Sequence, residues 1–238
     1  MTATPLPESA PAGGWTTGRI IEIDKPTETL VRLRFHVDDR VDHLPGQHYV
    51  VRLRAPDGYT AQRSYSIASD PDDPLLELMV ECLPGGEVSG FLHDVAEVGD
   101  ELELRGPIGG WFVWDGDVPA VAVAGGSGVV PIVAMTRYAT RMGIQDKLRV
   151  VVVARSWEAL PYAAELEKYG AFIALTRENH GDRVAHPPYP DEMGAYVEGA
   201  ERAYVCGSVG FASFATRLLQ ESGVRTDTIR VEQFGETS

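Results

Sequence analysis

Apolar and polar residues alternate along short segments in the first half of the chain. Residues 31–37 carry four apolar side chains at odd-numbered positions, with Arg32, Arg34 and His36 between them. A period of two residues is typical of a β-strand with one buried face. The same period recurs, between turn-forming glycines and prolines, at 51–55, 76–82 and 101–105. With one brief helix predicted at 88–95, the pattern indicates an antiparallel β-barrel over residues 15–114.

The second half of the chain changes to continuous apolar runs, which are typical of parallel strands buried on both faces. The runs lie at 120–124, 150–154, 172–175 and 203–205, and a last strand is predicted at 229–234. Helices are predicted between or after the runs at 131–142, 158–169 and 211–221. Strands that alternate with helices predict a doubly wound α/β domain over residues 115–238.

Composition favours two domains in a soluble protein. The chain has 238 residues, of which 44% are hydrophobic, so each half can bury a core of its own. Charged residues make up 24%, and no stretch approaches the roughly 18 apolar residues of a membrane span. Residues 1–14 are rich in Pro, Ala, Ser and Thr without a basic start, which predicts a disordered tail rather than a secretion signal.

Charge and cysteine content exclude several classes of protein. The formal net charge of -14 argues against nucleic acid and anionic membrane as partners. The two cysteines, Cys82 and Cys206, are too few for a disulfide framework or for a four-cysteine metal or iron–sulfur site within this chain. They favour a reducing cytoplasm. The six histidines show no metal-ligand spacing, so no metal is assigned.

A glycine-rich turn stands between the first apolar run of the second half and the helix that follows it. Gly126, Ser127 and Gly128 would let the backbone approach a pyrophosphate, and the positive end of the helix would attract its charge. Pro131 suits the first turn of that helix, where its missing N–H is not needed. The turn predicts a nucleotide site, although an ordinary strand-to-helix turn would use the same residues.

Ser127 also allows a different interpretation, since Gly-x-Ser-x-Gly at a strand-to-helix turn is the nucleophile motif of α/β-hydrolases. Gly125 matches the first glycine of that motif, but Val129 stands where the second glycine is required. Such a hydrolase also has no role for the barrel that precedes the turn. An α/β-hydrolase with Ser127 as its nucleophile is therefore the less favoured alternative.

Two segments of the first half contain groups that bind anions or flat rings. Arg63 and Tyr65 lie on one side of a predicted strand, with Ser66 on the other. Arginine can bind phosphate bidentately, and an aromatic ring can cover a flat heterocycle. About twenty residues later, Gly86 and Ser89 form a glycine turn at the start of a short helix. Each segment alone is compatible with a purely structural role, but together they place two anion-binding groups in one barrel.

Six short motifs follow one another along the chain. They are Pro45-Gly46-Gln47, Arg63-Ser64-Tyr65-Ser66, Gly86-x-x-Ser89-x-x-Leu92, Gly106-Pro107-x-Gly109, Gly126-x-Gly128-x-x-Pro131 and Cys206-Gly207-Ser208. In this order and spacing they resemble the ferredoxin–NADP reductase family, over residues 17–234, and in particular its bacterial members without a fused iron–sulfur domain. The resemblance implies a six-stranded antiparallel Greek-key barrel that binds FAD, followed by a parallel-sheet domain that binds NAD(P)H.

The resemblance also implies a role for each residue of the FAD site. Arg63 and the turn at 86–89 would hold the FAD pyrophosphate. Tyr65 would stack on the isoalloxazine, and Ser66 would lie beside flavin N5, the atom that receives hydride. The strand around Val80 would contact the flavin nucleotide through its main chain. The residues assigned to FAD are Arg63, Tyr65, Ser66, Val80, Gly86, Val88 and Ser89.

A second set of residues is implied for the nicotinamide cofactor. The glycine-rich turn would hold its pyrophosphate, and Cys206 would lie near the nicotinamide, although a buried cysteine is also common packing material. Arginines after the second and third parallel strands would hold a 2′-phosphate, which favours NADPH over NADH. An aromatic residue near the carboxyl end would approach the flavin. The residues assigned are Gly126, Ser127, Gly128, Val129, Pro131, Arg155, Arg177, Arg183, Cys206, Gly207 and Phe234.

The implied activity is that of a flavoprotein oxidoreductase, with Ser66 and Cys206 as its catalytic residues. It would pass hydride from NAD(P)H, with NADPH preferred, to FAD. Because two cysteines cannot hold an iron–sulfur cluster, the electrons would leave to a separate acceptor, such as a ferredoxin, an oxygenase component or a small molecule. The alternative from another class is an FAD-binding electron-transfer or sensor subunit whose nicotinamide site is unused.

Overall fold

A computed structural model describes residues 14–234 of the chain. Two β-sheets organise it, the first six-stranded and antiparallel, the second five-stranded and parallel. The predicted disordered tail at 1–14 lies, apart from Gly14, outside the described residues. Among the described helices, none combines the length and the apolar character that crossing a membrane requires.

The first sheet forms a barrel with one short helix at its end. Its strands are β1 Thr16–Asp24, β2 Leu30–Val37, β3 His48–Arg54, β4 Thr60–Ser66, β5 Leu76–Glu81 and β6 Glu101–Ile108, with helix α1 at Glu87–Asp94 between the last two. The strand order is β4-β3-β6-β1-β2-β5, and a bridge between Ile67 and Leu78 joins the two edges. Val88 and Leu92 of α1 pack into the barrel core. The predicted Greek-key barrel is confirmed.

Strand β5 departs from the predicted alternation. Its period of two predicts one solvent-facing side, yet Glu77 and Met79, on the side opposite Leu78, are buried to 3% and 6% exposure. The second domain covers that side, where Met79 packs with Val130 and Tyr162. A half-polar strand is therefore buried on both faces, because one face lies in the barrel core and the other in the interface between the domains.

The second sheet forms the core of an α/β domain. Its strands are β7 Ala120–Gly125, β8 Leu148–Ala154, β9 Phe172–Leu175, β10 Arg202–Ser208 and β11 Ile229–Phe234, in the order β11-β10-β7-β8-β9. The helices are α2 Val129–Met142, α3 Ala163–Tyr169, α4 Pro190–Val197 and α5 Val209–Glu221. All the strand pairs are parallel, so their carboxyl ends meet at one edge, where ligands bind in such folds. The predicted doubly wound fold is confirmed.

Helices cover both faces of this sheet, which explains the continuous apolar runs. Ile132 of α2 and Leu166 of α3 pack on the face formed by the even-numbered residues of β7 and β8. Met193 of α4 and Leu218 of α5 pack on the opposite face. Neither side of the central strands reaches solvent, so both sets of side chains are apolar.

Two helices differ from the sequence prediction. The helix predicted at 158–169 begins only at Ala163, because Pro161 disfavours helical geometry in the residue before it and Tyr162 has a left-handed backbone with φ of 58°. Helix α4 was not predicted. Its signal is local, since Pro190 occupies the first helical position and Glu192 accepts a 2.8 Å hydrogen bond from the Tyr189 N–H.

Candidate active site

Strand β4 carries Arg63 to the outside of the barrel. Its side chain is exposed, and its one hydrogen bond within residues 14–234 runs from Nη1 to the Gln62 carbonyl at 2.8 Å. The remaining guanidinium N–H groups are free to donate to a ligand. The two parallel N–H donors of a guanidinium on an exposed strand can bind a phosphate group, as the sequence predicts.

Tyr65 and Ser66 end the same strand in a more buried setting. Tyr65 packs against the barrel core, and burial raises the pKa of its phenol above the ordinary value, so the side chain is neutral. Ser66 is 5% exposed, and its Oγ has no hydrogen-bond partner among the described residues. A buried hydroxyl without a partner is costly, which indicates a ligand atom that completes the bond. The nitrogen of a flavin beside Ser66 fits this requirement.

The turn before α1 forms a tight cradle. A Cβ at Gly86 would lie 2.3 Å from Ser89 Oγ, and that oxygen accepts a 3.3 Å hydrogen bond from the Leu83 N–H. No side chain caps the helix, so its first N–H groups can meet an anion. The side chains of Val80 and Val88 lie inside the barrel core, which leaves only their main chains for a cofactor.

A second cradle lies at the carboxyl edge of the parallel sheet. Gly126–Gly128 forms one turn of 3-10 helix, and α2 then begins at Val129, two residues before Pro131. A Cβ at Gly128 would lie 2.3 Å from the Cys206 carbonyl oxygen. Gly126 has a left-handed φ of 56°. Glycine is needed at both positions, and the turn lies directly on the backbone of residues 206–207.

The hydrolase alternative finds no support at Ser127. Among residues 14–234 no histidine forms a hydrogen bond with this hydroxyl, so the general base of a nucleophile motif is missing. Ser127 is half-buried in the glycine turn, and Val129, whose side chain is fully buried, can contribute only its main chain.

Cys206 and Glu232 face each other on neighbouring strands, β10 and β11. Cys206 is fully buried, and burial, together with the nearby Glu232, raises the pKa of its thiol well above the ordinary value. Burial raises the pKa of Glu232 from 4.5 to about 7, and its Oε2 has no partner among the described residues. A protonated thiol beside an unsatisfied carboxyl group can orient a ligand or hold a proton. The sequence analysis did not identify Glu232.

The three predicted arginines are not equivalent. Arg155 and Arg177 are exposed at the ends of β8 and β9, and the Arg177 N–H donates to the Arg155 carbonyl at 2.9 Å. Arg183 instead donates to Glu192 at 2.8 and 3.1 Å and to the His186 carbonyl. Its charge is already neutralised, so Arg155 and Arg177 are the stronger candidates for a phosphate.

Comparison with known proteins shows what the chain is similar to. Residues 18–113 match the family described as oxidoreductase FAD-binding domain. The chain is 25% identical over 227 residues to the ferredoxin–NAD(P)+ reductase component of the naphthalene 1,2-dioxygenase system of Pseudomonas putida. It is 27% identical over 234 residues to the propane 2-monooxygenase reductase component of Rhodococcus jostii. The chain is therefore similar to reductase components of oxygenase systems, and residues 18–113 carry the FAD-binding match.

Both alignments cover 91% of this chain, which spans 68% and 62% of the length of the two relatives. Solved structures agree in fold. A ferredoxin NADP+ reductase from Neisseria gonorrhoeae, with bound FAD and NADP, superposes with a TM-score of 0.77 at 17% identity, over 92% of this chain and 98% of that one. The predicted resemblance is confirmed, and the predicted boundaries at 15–114 and 115–238 stay predictions.

The buried carboxyl group of Glu232 makes stability depend on pH. Because its pKa is raised in the folded state, the folded protein holds a proton that the unfolded chain releases above about pH 4.5, and stability falls as the pH rises towards 7. Glu232→Gln removes the titration. We expect the variant to gain roughly 3–6 °C in apparent melting temperature over the wild type at pH 8, and almost nothing at pH 5.

The measurement is a thermal melt of the flavin-loaded protein at pH 5, 6, 7 and 8. Glu221→Gln is the matched control, since it removes the same charge from an exposed position at the end of α5. If both variants differ from the wild type by the same amount at every pH, Glu232 does not titrate in this range.

Proposed function

We propose that this chain is an FAD-dependent NAD(P)H oxidoreductase that passes electrons from NADPH to a separate acceptor. The observation that carries the proposal is the contact between the first turn of α2 and the segment that follows strand β4. Val130, two residues after the glycine turn, packs in one buried cluster with Ala68, and Ala68 lies two residues after Ser66, whose hydroxyl has no partner among the described residues. A dinucleotide on that turn therefore ends beside the ring that Ser66 would contact.

The FAD-binding residues present the flavin for reaction. Arg63 and the first N–H groups of α1 hold the pyrophosphate, and Tyr65 covers the ring. Ser66 donates its hydroxyl proton in a hydrogen bond to N5. FAD, when bound, supplies the atom that accepts hydride and then releases electrons singly or in pairs. The chain supplies binding, orientation and exclusion of water.

The nicotinamide-binding residues hold the donor against that ring. The turn at Gly126–Gly128, which lies directly on the backbone of Cys206 and Gly207, would hold the pyrophosphate, and that backbone would form the floor below the nicotinamide. Glu232 holds a proton near neutral pH behind this floor. Phe234, half-buried at the end of β11, packs on the same edge of the sheet.

A ferredoxin or an oxygenase component is the proposed acceptor. Both relatives described above are reductase components of oxygenase systems. The 238 residues contain two cysteines, both free thiols, so the chain offers no four-cysteine cluster as an internal acceptor. The free thiols also support the reducing cytoplasm as the proposed location.

NADPH is the proposed donor because Arg155 and Arg177 are exposed at the edge of the sheet and form no ion pair within residues 14–234. Arg177→Ala removes a charge-assisted contact to the 2′-phosphate, worth about 1.5–3 kcal/mol. We expect the dissociation constant of NADP+ to rise roughly 10- to 100-fold, while that of NAD+ changes less than about 3-fold. Titration of the oxidised protein with each nucleotide measures these constants, because neither nucleotide reduces the flavin. Arg217→Ala, an exposed arginine on α5, is the control. Equal losses for both nucleotides would remove Arg177 from the phosphate site.

An anaerobic titration tests the proposed function itself. The purified protein should be yellow, and NADPH should bleach the flavin absorbance at a ratio of one per FAD. A colourless protein that takes up no FAD on reconstitution contradicts the proposal. Bleaching by dithionite, but by neither NADPH nor NADH, would instead identify a flavin-binding electron-transfer or sensor subunit with an unused nicotinamide site.

A further inference from the structure

A buried group of charges joins the two domains. The Glu77 carboxylate of β5 is 3% exposed and accepts hydrogen bonds from Arg137 Nη1 at 2.9 Å and from the Tyr162 hydroxyl at 2.8 Å. Arg137, on α2, also donates to both oxygens of Glu165 at 2.7 and 2.9 Å. We call these four residues, Glu77, Arg137, Tyr162 and Glu165, the interdomain cluster.

The interdomain cluster also holds the backbone beside the predicted flavin ring. Arg137 Nη1 donates to the Ala68 carbonyl at 3.0 Å, and Ala68 follows Ser66 by two residues. The same helix begins at the glycine turn, where Val130 packs on Ala68 and Met79. One rigid helix therefore contacts the proposed nicotinamide site at its first turn and the proposed flavin site at its third.

This arrangement bears on catalysis because hydride transfer depends on distance. The reacting atoms must approach to about 3–3.5 Å, and a displacement of about 1 Å can cost roughly 100-fold in rate. Two domains of one chain move relative to each other unless their interface is specific. A buried carboxylate that needs its partners allows few alternative arrangements, since any shift leaves a buried charge unpaired.

We propose that Arg137 and Glu77 are positioning residues for hydride transfer, which set the distance between the nicotinamide and flavin sites by fixing α2 to the barrel. The inference rests on the proposed function. Neither residue touches a predicted cofactor position. Arg137 reaches the segment after Ser66 through the Ala68 carbonyl. Glu77 reaches it through its main chain, which accepts from the Ala68 N–H and donates to Ser69 Oγ. They act through geometry, so their loss should change the rate of transfer more than the affinity for either cofactor.

The test uses the flavin-loaded protein and two conservative variants. Arg137→Lys keeps the charge but cannot reach Glu77, Glu165 and Ala68 together, while Glu77→Gln keeps an acceptor for Tyr162 and removes the charge. Anaerobic stopped-flow mixing with NADPH gives the limiting rate of flavin reduction and the dissociation constant separately. We expect the rate to fall roughly 10- to 100-fold in both variants, with the dissociation constant and FAD content within about 3-fold of the wild type.

Arg225→Ala is the matched control, because it breaks an exposed ion pair with Asp227 far from the interface. Its reduction rate should equal that of the wild type. Folded, FAD-loaded Arg137→Lys and Glu77→Gln variants that are reduced at the wild-type rate would overturn the proposal. A uniform loss of affinity without a change in limiting rate would also overturn it.

A second measurement separates this proposal from the proposed function. Amide hydrogen exchange at residues 77–80 and 129–130 reports the interface directly, whether or not NADPH reduces the flavin. We expect exchange in both segments to be faster in Arg137→Lys than in Arg225→Ala. If the wild type is not reduced by NADPH or NADH, the proposed function fails. If exchange at the interface is unchanged, the positioning role fails independently.

Discussion

Replacing Arg63 by alanine is expected to remove FAD from the protein while leaving the barrel folded. The side chain is exposed, and its one hydrogen bond to a described residue runs to the neighbouring Gln62 carbonyl, so the barrel core does not depend on it. A guanidinium that donates twice to a phosphate contributes about 3 kcal/mol or more, since each such bond is worth about 1.5–3 kcal/mol. FAD affinity should fall at least roughly 100-fold.

The ratio of flavin to protein absorbance after dialysis measures this loss, and a fluorescence titration gives the dissociation constant. Arg54→Ala is the control, since Arg54 is an exposed arginine on neighbouring β3 whose ion-pair contact, to Glu103, is long at 3.5 Å. Melting of both apoproteins should be alike. Flavin retained equally by the two variants would show that Arg63 does not hold the pyrophosphate.

Gly128→Ala is expected to abolish reduction by NADPH while FAD stays bound. The added Cβ would lie 2.3 Å from the Cys206 carbonyl oxygen and 2.8 Å from Gly207 Cα, and these neighbours are backbone atoms that cannot rotate away. Overpacking of this kind costs about 1–3 kcal/mol and must displace either the glycine turn or the nicotinamide floor. Displacement by about 1 Å predicts a loss of roughly 100-fold in the rate of flavin reduction.

Stopped-flow reduction by NADPH and by dithionite distinguishes the two sites. Dithionite should reduce the variant at the wild-type rate, because the barrel is unchanged. Gly194→Ala is the matched control in the same domain, since its Cβ would enter open space on α4. An NADPH rate in Gly128→Ala that equals that of Gly194→Ala would contradict the close contact between the turn and Cys206.

Local patterns were sufficient for most of the strands and for the resemblance to the family. The alternation in β2 and the continuous runs of β7 and β8 follow from side-chain direction along a strand, which repeats every two residues whatever the rest of the chain does. The motifs at Arg63 and Gly126 depend on residues that are adjacent in sequence. Their backbone geometry is local, so the order of motifs along the chain predicts both cradles.

The tertiary structure decided which residues that are distant in sequence come into contact. Alternation assigned Glu77 to solvent, but packing of the second domain buried it against Arg137. Burial of Glu232 on β11, beside Cys206, raises the pKa of its carboxyl group. Arg183 forms an ion pair with Glu192, so its charge is not available to a ligand. The physical reason is common to all three. A period reports which way a side chain points, whereas its charge state and its role depend on the groups that folding brings against it.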